Sequence, residues 1–159
     1  MGQDDVMRLT RLFGADAFAG ALESWQWLGV EGKIPVLASL FGDTILEHVT
    51  GYWFLDTFEG TLTREWANRD EVQDALRTEE GQDRYLLAGL AFAADNAGMT
   101  LSESEIYSFK VPPVLGGKFD LGNVEVADFV VSVNLAGQLL QQVKTLPPGT
   151  KITGFTVTE

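Results

Sequence analysis

Residues 35–63 read PVLASLFGDTILEHVTGYWFLDTFEGTLT. Residues 36–41 form a short apolar run, and Gly42-Asp43 supplies a turn. Residues 45–49 are a second run, closed by Thr50-Gly51. Residues 52–55 are a third, and Phe58-Glu59-Gly60 turns it into Thr61-Leu62-Thr63. Short strands at such tight spacing predict an antiparallel meander.

The flanks read differently. Residues 4–28 have helical spacing in two pieces: Val6, Leu9, Leu12 and Phe13, then Phe18, Leu22 and Trp25, with Gly14 as the break. After the meander, Asp70 and Gln73 stand at capping-box spacing, followed by the apolar face of Val72, Ala75 and Leu76. Residues 79–97 predict one long helix. Thr78 caps it, Glu79, Glu80 and Asp83 favour its positive end, and Gly98 suits the position after it. Further on, Pro112-Pro113 stops any regular element and Gly116-Gly117 turns. Val124, Val126 and residues 129–133 predict strands. Leu135, Leu139, Leu140 and Val143 predict a short amphipathic helix, residues 146–150 a turn, and residues 152–157 a last strand. The sum is an α+β single domain, a mainly antiparallel sheet with helices packed on one side. Residues 1–34 form an N-terminal helical segment packed on the domain of residues 35–159.

The chain has 159 residues, 45% of them hydrophobic, enough for a sizeable core. It has no cysteine, which removes the usual sign of a secreted disulfide scaffold. No signal peptide or membrane span is visible, so a cytoplasmic location is expected. Eleven basic residues against 23 acidic ones leave a net charge of −12. Such a surface repels nucleic acid and anionic lipid, and favours a basic protein partner. Acidity also serves solubility alone in many proteins.

Chemistry finds little purchase. His48 is the only histidine, and no nucleophile elbow accompanies it. A zinc site would need three carboxylates, outside the common ligand sets, and no acidic group has EF-hand spacing. Residues 114–118, VLGGK, lack both the P-loop and the dinucleotide fingerprint. Neither a catalytic residue, a cofactor nor a metal is expected. Trp25, Trp27, Trp53 and Trp66 read as core aromatics. The candidate partner-binding residues are Asp70, Glu71, Asp74, Glu79, Glu80 and Asp83, which surround Arg77 alone. Helix-start electrostatics explain several of them. As a group they also form a docking face for a basic protein, where complementary charge speeds encounter.

Several strings recur together in one known family: FGD (41–43), GYWFLDTFEG (51–60), YSFKVPPVLGG (107–117), AGQ (136–138) and LPPGTKI (146–152). Over residues 35–157 the chain resembles the C-terminal domain of type VI secretion DNase-effector immunity proteins. Larger relatives carry a GAD-like domain before it, and residues 1–34 are too short for a complete copy. The resemblance implies a non-catalytic protein that binds and neutralises a cognate toxin, in the family's case a nuclease effector. The alternatives are a cytosolic interaction or regulatory module and, less favoured, a small-ligand binder or enzyme.

Overall fold

The computed structural model describes residues 3–147. The four strands foreseen in the meander are β2 (Ile34–Ser39), β3 (Thr44–His48), β4 (Gly51–Asp56) and β5 (Thr61–Trp66). A two-residue strand, β1 (Thr10–Arg11), joins at one edge, so the sheet runs β1-β2-β3-β4-β5, antiparallel throughout. Helices α1 (Gln3–Leu9) and α2 (Ala15–Leu22) flank β1, and α2 runs on into a 3₁₀ helix at Glu23–Leu28. After β5 come α3 (Arg69–Leu76), α4 (Glu79–Leu86) and α5 (Ala88–Asn96). A second antiparallel sheet pairs β6 (Glu105–Phe109) with β7 (Val124–Asp128), and α6 (Phe129–Lys144) follows. The Tyr107 N–H donates to the Leu40 carbonyl at 2.7 Å and ties the two sheets together.

The α+β class and the antiparallel sheet are as expected, but the helices, expected on one side, cover both faces. Alternate residues of a strand point to opposite faces. Ile45 and Phe54 therefore enter a core with Val72, Leu76, Tyr85, Leu86 and Ala91. Their neighbours Leu46 and Leu55 enter another with Phe18, Trp25, Phe129, Val133 and Leu140. Residues 45–46 and 54–55 are apolar in both phases because both faces are covered. Each of these large side chains contributes about 1.5–3 kcal/mol by burial.

Four local readings differ from expectation. The first helical piece, expected to run through Leu12 and Phe13, ends at Leu9, and Thr10 and Arg11 pair with β2 as β1. Residues 129–133, read as a strand, open α6. Asp128 caps that helix, its carboxylate accepting the Val131 N–H at 3.0 Å. Phe129, Val133, Gly137 and Leu140 recur at helical spacing and are buried, so packing overrides the strand preference of the valines. The expected helix over 79–97 is two helices joined at Leu87, whose φ of 50° and ψ of 47° are left-handed. At about 3.6 residues per turn an unbroken helix would place Gly81 and Ala94 on opposite sides, whereas both are buried here. The left-handed residue costs roughly 1–2 kcal/mol and brings both segments onto one core. Finally, the capping box is not Asp70–Gln73. Asn68 Oδ1 accepts the Glu71 N–H at 3.0 Å, and Asn68 Nδ2 donates back to Glu71 Oε2 at 3.3 Å. The N-cap of α3 is thus Asn68, two residues before the expected Asp70.

Other signals read correctly. Thr78 Oγ1 accepts the Gly81 N–H at 3.0 Å. Gly98, at φ 84°, closes α5 with paired bonds, Gly98 N–H to Asp95 O and Met99 N–H to Ala94 O. The strand expected at 152–157, and most of the turn at 146–150, lie outside the described residues.

α6 and the 3₁₀ helix approach closely at Gly137. A Cβ there would collide with Ser24 Oγ and stand 2.8 Å from Trp25 Nε1. The same approach lets Ser24 Oγ donate to Asn134 O at 2.6 Å and Trp25 Nε1 to Val133 O at 2.9 Å. Gly137→Ala is expected to cost about 1–3 kcal/mol through overpacking, read as a lower midpoint in urea unfolding at constant m-value.

Candidate functional site

The strings at 41–43 and 51–60 form one knot. Asp43 is 4% exposed, and its Oδ1 accepts both the Thr57 N–H at 2.7 Å and the Thr57 hydroxyl at 2.8 Å. Asp56 Oδ1 accepts the N–H groups of Phe58 and Glu59, each at 2.9 Å. The β2–β3 turn and the β4–β5 turn are thus bolted together. Gly42 needs its positive φ of 95°, and a Cβ on it would meet Val133 Cγ2 at 2.8 Å. Burial pushes the Asp43 carboxyl well above its ordinary range. The nearby Asp56 charge adds to this, and the two Thr57 donors oppose it.

The sign of the pH effect follows. A carboxyl whose pKa rises on folding favours the folded state when protonated. Its contribution is full below the unfolded pKa of about 3.9 and is lost as pH rises through the higher folded value. Asp43→Asn keeps an acceptor for Thr57 without the buried charge. Its stability relative to the parent is expected to grow from pH 4 to pH 7 in parallel urea titrations. Asp43→Ala leaves the two Thr57 donors unpaired and is expected to cost about 1–3 kcal/mol.

The six expected partner-binding carboxylates are all exposed. Asp70 and Glu71 occupy the first turn of α3, and Glu79 and Glu80 the first turn of α4. Asp74 lies 4.0 Å from Arg77 across an exposed pair, worth little in itself. The α3–α4 corner is tight: a Cβ on Gly81 would collide with Ala75 O, and Gln82 Nε2 donates to Leu76 O at 2.9 Å. Glu79 and Glu80 therefore stand by the end of α3, roughly 12 Å along its axis from Asp70 and Glu71. Asp74 lies in the body of α3 and Asp83 in that of α4. Beside them, Glu65 accepts the Tyr85 hydroxyl at 2.6 Å and pairs with Arg84 at 3.3 Å. The Tyr85 bond lowers the Glu65 pKa. Tyr85 is pushed up to about 12 by desolvation first and by Glu65 second. Isolated in sequence, Glu65 offered no pattern by which to find it.

His48 ends β3 beside a turn. Its Nδ1 contacts Thr50 Oγ1 at 2.9 Å and accepts the Thr50 N–H at 3.3 Å. The hydroxyl also accepts from Trp53 Nε1 at 3.1 Å. Among the described residues no carboxylate is bonded to the ring, and no group of three His, Cys, Asp or Glu side chains is placed to hold a metal.

A feature without a sequence signal lies next to the knot. A groove of about 260 Å³ has Phe41, Phe58 and Phe109 in its floor, Val131 and Leu135 of α6 on one wall, and Pro112 to Val114 on the other. The 111–123 loop is held by Asn123, whose side chain bonds both Val111 N–H and Val111 O at 2.9 Å and Lys118 O at 2.9 Å. Gly117 packs on the Val111 carbonyl so closely that a Cβ there would collide with it. The glycine pair is thus a turn, as its sequence suggests.

Residues 67–140 match the family model described as T6SS immunity protein Tdi1, C-terminal. Over those residues the chain is similar to the C-terminal region of this type VI secretion immunity family. The matched segment contains the strings at 107–117 and 136–138, while those at 41–60 and 146–152 fall outside it. No curated protein matches the chain. Among solved structures it is similar to the crystal structure of Atu4351 from Agrobacterium tumefaciens. The two share 15% identity at a TM-score of 0.51, over 87% of this chain and 81% of that one. At that identity the likeness speaks for the fold alone.

Proposed function

We propose that this protein is a non-catalytic, cytoplasmic immunity-type inhibitor, which binds a cognate toxin with a basic surface and neutralises it. The family match over residues 67–140 carries the reading, since the segment spans both helices bearing the six carboxylates. A nuclease effector is the favoured toxin. A nuclease cleft is basic because it must hold phosphate, and an acidic protein competes for the same charges. With −12 of net charge, the inhibitor attracts such a cleft from a distance and turns nucleic acid away. No bond is made or broken on it.

Co-expression with the product of the neighbouring gene tests the reading. Restored growth and a co-eluting complex on gel filtration are expected. Persistent toxicity with separate elution would overturn it. Replacing Asp70, Glu71, Asp74, Glu79, Glu80 and Asp83 by their amides is expected to slow association at least about tenfold at low salt and to flatten its salt dependence. Stopped-flow mixing measures both, and an unchanged rate would remove the acidic helices from the interface.

A further inference from the structure

Charge explains encounter but not a lasting complex. Exposed charge pairs contribute little to lifetime, whereas desolvated apolar anchors dominate it. Among the described residues, the groove between α6 and the Pro112 loop is the best apolar receptor. Val131 is 56% exposed and Leu135 36%, one helical turn apart on the same face of α6. Phe119, 51% exposed, stands edge-on to Phe58 and Phe109 at 6.0 and 5.1 Å beside it. Neither valine nor leucine is needed to hold α6, whose inner face is Phe129, Val133, Gly137 and Leu140.

The charged residues in the lining are Glu125 and Asp128, with no lysine or arginine among them. Asp128 caps α6 through its Oδ2, while Glu125 is exposed on β7. An apolar trough edged by carboxylates on an acidic molecule selects against a second copy of itself, because two −12 surfaces repel. It selects for a segment with apolar side chains at helical or strand spacing and flanking Lys or Arg. The walls are pre-formed: the Asp43–Thr57 knot sets Phe41 and Phe58, and Asn123 holds the opposite loop. A rigid receptor loses little entropy on binding.

Resting on the immunity reading, we infer that this groove is the anchor site for an apolar, lysine- or arginine-flanked segment of the toxin. The acidic helices α3 and α4 steer, and the groove holds.

The test is the double variant Val131→Arg, Leu135→Arg, whose exposed positions spare the fold, as thermal melting will verify. In co-expression with the neighbouring gene product, the variant is expected to lose protection where the parent protects. The complex weakens on the order of 100-fold, through faster dissociation. A variant that protects as well as the parent overturns the groove and leaves the immunity reading standing. A parent that fails to protect overturns the immunity reading instead, and a second arm then decides the groove. In that arm, a short amphipathic Leu/Lys peptide is titrated against the chain, with Leu/Glu and Ser/Lys peptides as controls. Selective binding of the Leu/Lys peptide to the parent, absent in the double variant, supports the inference. Equal binding of either control overturns it. So does self-association of the parent abolished by the double substitution, which assigns the groove to a second copy. Peptide binding that appears only after residues 148–159 are deleted assigns it to the chain's own terminus and likewise overturns it.

Discussion

At β3 and β4 the pleat sends Ile45 and Phe54 to one side of the sheet and Leu46 and Leu55 to the other, and every helix takes its place from that division. Side chains on both faces need cover, since an exposed sheet face of leucine and phenylalanine is an aggregation hazard. One face receives α3, α4 and α5. The opposite face receives α2, the 3₁₀ turn and α6, which meet at Trp25 and Gly137 with no room for a methyl group between them. Deviations elsewhere in the chain serve this arrangement. The left-handed Leu87 turns α5 so that Ala91 and Ala94 reach the same core as Tyr85 and Leu86.

The buried Asp43 is the second constraint. Taking a carboxylate out of water is expensive, and two donors from Thr57 recover only part of the cost. In return the two turns at one end of the sheet become one rigid unit. That unit places Phe41 and Phe58 under the groove and Gly42 against α6. The strings at 41–43 and 51–60 are thus structural in their contacts and still shape the groove.

In the proposed complex, electrostatics and apolar contact divide the work of recognition. There, solvated carboxylates on α3 and α4 act over about a Debye length and govern arrival. The groove acts only at contact and governs departure. The two surfaces come from different elements, so substitutions in one leave the other's geometry intact.

Much of this was legible in the chain itself. The meander of β2 to β5 follows from short apolar runs punctuated by turn residues. The ends of α4 and α5 follow from Thr78 and Gly98, because caps and turns are decided by a few neighbouring atoms. The predominance of negative charge required no structure. Tertiary packing alone decided the rest. A valine run after Asp128 becomes helix only because Phe18, Ala21 and Trp25 wait for its inner face. Helices on both faces, rather than one, depend on which apolar stripes meet, which no local pattern specifies. The candidate groove draws on residues 41, 58, 109, 112–114, 131–133 and 135, distant in sequence and adjacent only once two sheets and α6 have packed together.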